Sequence, residues 1–178
     1  MFIKKNKSLM AVAIILGMSS LAHADQGHGK VTFTGSIIDS PCSISPESID
    51  QTVDLGQISN AALKDSGQST PKNFSIKLEN CSFGTPEAKN KVQVTFTGME
   101  SAAGNGLLGI TGNAKGASVA ITDGSGTVIQ LGQPTKEQAL QNGNNNLNFA
   151  AYMQGDGDTA TITEGDFQAV TDFTLAYN

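Results

Sequence analysis

The chain has 178 residues with 11 Lys and no Arg against 16 Asp plus Glu, a formal charge of −5, 20 Gly and no Trp. An acidic chain without clustered Lys and Arg has little with which to displace counterions from phosphate, which argues against a nucleic-acid binder. The length suits one ordinary domain with a real core, and an acidic surface suits a soluble, exposed protein.

The first residues set the expected compartment. Lys4, Lys5 and Lys7 make a basic start, Leu9 to Met18 an apolar run, and Ala22-His23-Ala24 a small-x-small site, which together predict a signal peptide over residues 1–24. The apolar run is about half the roughly 20 residues a membrane helix needs. Cleavage after Ala24 leaves eight Lys against 16 acidic residues, a formal charge of −8.

Next, Gly29, Val31, Phe33, Gly35 and Ile37 alternate with polar residues and share one face of a predicted strand, Lys30 to Ile38. Asp39-Ser40-Pro41 then separates it from Cys42. Alternation alone does not say whether this strand joins its own sheet or another's. Cys42 and Cys81 are the only cysteines, and an even pair in an exported chain reads as a disulfide. Closing a loop of that length removes unfolded-state entropy worth about 4 kcal/mol.

Further short alternating runs predict strands at Phe74 to Cys81, Lys91 to Gly98, Ala117 to Thr122, Thr127 to Leu131, Leu147 to Gln154 and Phe167 to Tyr177, so the chain is read as a β-sandwich. Helix is hinted at only over Asn60 to Asp65. Asp123-Gly124-Ser125-Gly126 fits a tight hairpin, and Gln141 to Asn146 a polar loop entering the next strand. Gly155-Asp156-Gly157-Asp158 is read as a polar turn, because the oxygen ligands and spaced Glu of an EF-hand calcium loop do not follow. In the last run Phe167, Ala169, Thr171, Phe173, Leu175 and Tyr177 alternate to the final residue, which suggests a docked C-terminus or simply a last core strand.

No catalytic, cofactor-binding or metal-ligating residues are expected. After cleavage one histidine, His28, remains, between Gly27 and Gly29 where no partner would hold it still. Neither a Gly-x-Ser-x-Gly elbow, a phosphate-cradling loop nor a His-Glu-x-x-His pair occurs. Tyr152 and Tyr177 are the only tyrosines, too few for an aromatic ligand platform.

Gly29-Lys30-Val31-Thr32-Phe33-Thr34-Gly35 running to Asp39-Ser40-Pro41-Cys42-Ser43-Ile44, then Asp50 to Gln57 and Leu78-Glu79-Asn80-Cys81, resembles the major pilins of P-type fimbriae. Gly165, fourteenth from the end, and the penultimate Tyr177 match that family's C-terminal pattern. The resemblance covers the whole exported chain, with residues 99–116 and 133–146 less distinctive. It implies an incomplete immunoglobulin-like sandwich lacking its last strand, over residues 39–178, with residues 25–38 as an N-terminal extension. A partner strand then fills a hydrophobic groove: a periplasmic chaperone's strand first, and in the fibre the next subunit's Gly29, Val31, Phe33, Gly35 and Ile37. Gly165, Phe173, Leu175, Tyr177 and the carboxylate of Asn178 are implied as the groove and chaperone-facing residues. The implied assembly is a head-to-tail polymer on the bacterial surface, exported through an outer-membrane usher, with a host-surface receptor possible. The alternative is a receptor-binding or minor adaptor pilin.

Overall fold

A computed structural model describes residues 29–84 and 89–178. The expected signal peptide lies outside the described residues. The chain divides after Ile37, with residues 29–37 in one unit and Ile38–Asn178 forming the other.

The larger unit places ten strands among its described residues. Five make one sheet: β1 (Ser43–Ile44), β2 (Lys72–Cys81), β5 (Ala117–Asp123), β6 (Val128–Ile129) and β8 (Gly143–Gly155), in the order β1-β2-β8-β5-β6. A second sheet has the order β10-β3-β7, formed by β3 (Lys91–Gly98), β7 (Gln138–Ala139) and β10 (Thr171–Tyr177). A small ribbon pairs β4 (Thr111–Gly112) with β9 (Phe167–Gln168). Every paired strand is antiparallel.

Period-two alternation explains the core. Ile76 and Leu78 of β2, Val92, Val94 and Phe96 of β3, and Leu147 and Phe149 of β8 are all buried and turn toward one another between the two main sheets. Phe96 sits at the centre, its ring 5.2 Å from Phe149, 6.4 Å from Phe74 and 6.5 Å from Phe173. The Cys42–Cys81 disulfide forms as expected and joins the entry of β1 to the end of β2.

Several strands differ from the sequence expectation: Lys30 to Ile38 forms none, and β2 begins at Lys72, two residues before Phe74. β8 starts at Gly143, earlier than Leu147, because Asn145 and Asn146 pair with Leu78 and Lys77. The Thr127 to Leu131 run shortens to two residues, after a hairpin turn in which the Asp123 carboxylate accepts from the Ser125 and Thr127 amides at 2.9 Å each. The C-terminal run breaks at Ala169–Val170, where the chain stops pairing with β4 and begins pairing with β3. Asn60–Ser66 forms a 3-10 turn, not an α-helix, and Asp65 within it has a left-handed φ of 53°.

β5 is buried along almost its whole length. Its outward residue Ala120 and its β8 neighbour Tyr152 are covered by Leu107 from the 99–110 loop. Ser118 donates to the Asp156 carboxylate, and Ser101 lies within 2.6 Å of Ser118, which pins that loop to the end of β8. Gly155 to Asp158 therefore leaves the sheet as a polar turn held by its own carboxylate. Among the described residues no group of three or more His, Cys, Asp or Glu is arranged to hold a metal ion.

Candidate functional site

In the Ile38–Asn178 unit a groove of about 1190 Å³ runs along one edge of the sandwich. Its floor is apolar: Phe74, Phe96, Leu108, Val119, Ile121 and Met153. A protein interior of this kind is normally filled to crystal-like density, so an open apolar slot means that a layer of side chains is missing.

Two chain segments form the lips. One is the C-terminal stretch from Ile162 to Phe173; the other is the segment from Ile49 to Ile58, whose residues beyond Ile49 have no ladder partner among the described residues. They run in opposite directions. Ile44, just before the Ile49–Ile58 lip, packs against the same core cluster as Phe173, whereas Leu55 and Ile58 pack against the same second cluster as Ile162, Phe167 and Ala169. At that second end the Asn60 amide donates to the Glu164 carboxylate at 2.9 Å and ties the lips together.

Among the described residues the C-terminal lip presents an unpaired strand edge, because β10 is the outermost strand of its sheet. Lys91 and Asn178 exchange both backbone hydrogen bonds, at 3.2 and 2.9 Å. Antiparallel alternation then assigns the even-numbered residues of β10 to β3 and leaves the N–H and C=O groups of Thr171, Phe173, Leu175 and Tyr177 facing the free edge. The same odd positions are half-buried while Asp172, Thr174, Ala176 and Asn178 are exposed. Free backbone groups and apolar side chains thus meet on one edge, which is the condition for adding a strand.

Of the residues expected at this site, Gly165 and Phe173 line the groove, while Leu175 and Tyr177 pack against the main core just beyond it. A Cβ on Gly165 would lie 2.7 Å from the Asn113 Cβ and 2.9 Å from the Ala114 nitrogen, and its φ of +149° also favours glycine. The Tyr177 hydroxyl is buried near Ser40 without a well-formed hydrogen bond. Burial pushes its phenol pKa up, and the Ser40 hydroxyl opposes that shift. The Asn178 side-chain amide donates to Gln93 at 3.0 Å, so the last residue is held through both backbone and side chain.

The lip residues Val53, Leu55 and Ile58 were missed as site residues, although Val53 and Leu55 alternate with polar neighbours and mark an inward face. In the other unit, residues 29–37 form no strand, and Val31, Phe33 and Ile37 are exposed, Phe33 by 91%. An alternating apolar segment without a sheet is expected to bury that face against another molecule.

Comparison with known proteins agrees with this geometry. The family model described as fimbrial protein matches residues 31–178. The chain is 59% identical to the Fimbria A protein of Serratia marcescens and 52% identical to the major MR/P fimbria protein of Proteus mirabilis, over 98% of this chain and 99% of each relative. Among solved structures it resembles a chain of a chaperone–usher pilus, with 34% identity, TM-score 0.76, and coverage of 86% of this chain and 97% of that one. It also resembles the P pilus rod subunit PapA, with 32% identity, TM-score 0.69, and coverage of 78% and 100%. A sandwich with one open edge, matched along its length to pilus subunits, has one reading: the chain belongs to the fimbrial protein family.

Proposed function

We propose that this protein is a rod subunit of a chaperone–usher fimbria and that it polymerises by inserting residues 29–37 of one copy into the groove of the next. The carrying observation is the open apolar groove beside the unpaired edge of β10. Nine extended residues span about 30 Å, and the C-terminal lip offers twelve. Gly29, Val31, Phe33, Gly35 and Ile37 would turn into the slot while their backbone bonds to the odd-numbered residues of the lip. Burying Val31, Phe33 and Ile37 contributes very roughly 2 kcal/mol each, enough to hold subunits without covalent links.

Donor and groove sit on different surfaces, so the contact is heterologous and builds an open filament. A subunit with an empty groove exposes a large apolar patch, which supports a periplasmic chaperone that covers it with its own strand before the usher receives the subunit. Export through the periplasm, display on the bacterial surface and contact with a host receptor belong to the same reading. The role is mechanical rather than catalytic: the apolar floor and backbone edge serve strand addition, a contact that needs no bond-making groups.

An unheated denaturing gel of periplasmic and surface extracts tests this. The native chain should run as a ladder of multimers, and a version lacking Asp25 to Ile37 should run as monomer only. A native chain found solely as stable monomer would overturn strand exchange.

A further inference from the structure

Residues 29–37 carry a single charge, Lys30, on the face opposite Val31, Phe33 and Ile37. When those three enter a groove, Lys30 stays outside. The outward face of β10 also carries a single charge, Asp172, and the facing lip starts with a second, Asp50. Both line the groove, at the end marked by Phe173 and Ile49.

We propose, on the strand-exchange reading above, that Lys30 of one subunit seats between Asp172 and Asp50 of the next and so fixes the incoming strand antiparallel to the C-terminal lip in one register. Placing Lys30 opposite Asp172 decides every other pair. Gly29 meets Phe173, Val31 meets Thr171, Phe33 meets Ala169, Gly35 meets Phe167 and Ile37 meets Gly165. Each bulky donor residue faces a small lip residue, and each donor glycine faces a phenylalanine. Gly35 then lacks a side chain because the Phe167 ring takes the space.

The backbone agrees with the side chains. Thr171 and Phe173 have free N–H and C=O groups, as hydrogen-bonded partners of Val31 and Gly29 require, and Lys30 with Asp172 becomes a non-hydrogen-bonded pair, the geometry that brings side chains closest. Just past Ile37 and Gly165 the Asn60–Glu164 bond closes the lips and marks the end of the seat.

Other registers fare worse. Sliding two residues one way sets Phe33 against Phe167; the other way sets Ile37 against Phe167 and Lys30 against the uncharged Thr174. A one-residue slip turns the apolar face outward. A parallel strand with Lys30 beside Asp172 runs toward Tyr177 and leaves the apolar stretch from Ile162 to Ala169 uncovered.

Paired cysteines in the full chain test the register. Thr32→Cys with Val170→Cys lie directly opposite in the proposed pairing, with Cα atoms about 4.5 Å apart and inside disulfide range. Both positions are exposed, so neither change disturbs the core. Mild oxidation of fibres should give a ladder that survives boiling and collapses on reduction. Thr32→Cys with Gln168→Cys, Asp172→Cys or Thr174→Cys should give at least tenfold less.

Efficient linking by any of those three in place of Val170→Cys overturns the register. Lys30→Glu should lower polymer yield about three- to tenfold at low salt, with Asp172→Lys restoring it; an unchanged yield overturns the role of the charge. Multimers without the 32–170 link sink the register alone, whereas a native chain that forms no multimers sinks strand exchange itself.

Discussion

Truncating Phe33 to alanine separates the strength of the fibre from the stability of its subunit. In the unassembled chain the Phe33 ring is 91% exposed, so Phe33→Ala removes almost no intramolecular contact and should change the subunit's own stability by less than about 0.5 kcal/mol. In the proposed fibre the ring would fill the slot beside Ala169, over a floor that includes Phe96 and Val119. Losing it forfeits the transfer term of about 2 kcal/mol and, if the groove does not close up, a cavity term that raises the total to about 4. At 1.4 kcal/mol per tenfold, each subunit contact weakens about 30- to 700-fold. Two measurements check this: the guanidinium midpoint for dissociating purified fibres, and the thermal melt of the isolated subunit. The first should fall steeply while the second stays put. An unchanged fibre midpoint, or a subunit destabilised by more than about 1 kcal/mol, would refute the reasoning, because Phe33 would then be packed in its own domain.

Gly35→Asn should leave the subunit folded and block chain growth, seen as monomer without a ladder on an unheated gel; normal fibres would remove Gly35 from the donor face. Reducing the Cys42–Cys81 bridge, or replacing Cys42 by Ser, should cost about 4 kcal/mol for its 39-residue separation, read as a lower melting temperature and a lower periplasmic yield. Gly165→Ala drives a Cβ into Asn113 and the Ala114 backbone, and about 1–3 kcal/mol of lost stability should appear in the melt together with weaker multimers. Burial raises the Tyr177 pKa, so the folded chain holds that proton more tightly than the unfolded one: the stability linked to it is complete below about pH 10 and falls as pH rises further. Alkaline denaturation of Tyr177→Phe should be flatter than that of the native chain, and parallel curves would remove Tyr177 as the cause.

Much of the fold is legible in the sequence because antiparallel strands write their burial as a period of two. β3 was expected at its observed bounds, Lys91–Gly98, because Val92, Val94 and Phe96 face the core while Lys91, Gln93 and Thr95 do not. β5 obeys a different rule. Its outward residues are also buried, since the preceding 99–110 loop folds back over them, and no local pattern in Ala117–Asp123 announces that cover. The break at Ala169–Val170 was equally hidden, because the alternation of the lip side chains runs through it unchanged while the pairing partner switches from β4 to β3.

By itself the sequence determined the alternating faces, the cysteine pair, the small residues at Gly35 and Gly165, and through its motifs the resemblance to pilins. These are local properties, set by side-chain type and by the two-residue repeat of an extended backbone. Only the tertiary structure decided that the slot lies open between the segment after Ile49 and the stretch ending at Phe173, and that the odd-numbered backbone groups of β10 face it unpaired. A vacancy is a relation among segments more than 100 residues apart, such as Asn60 and Glu164, and it exists only once packing has brought them together and left one layer unfilled.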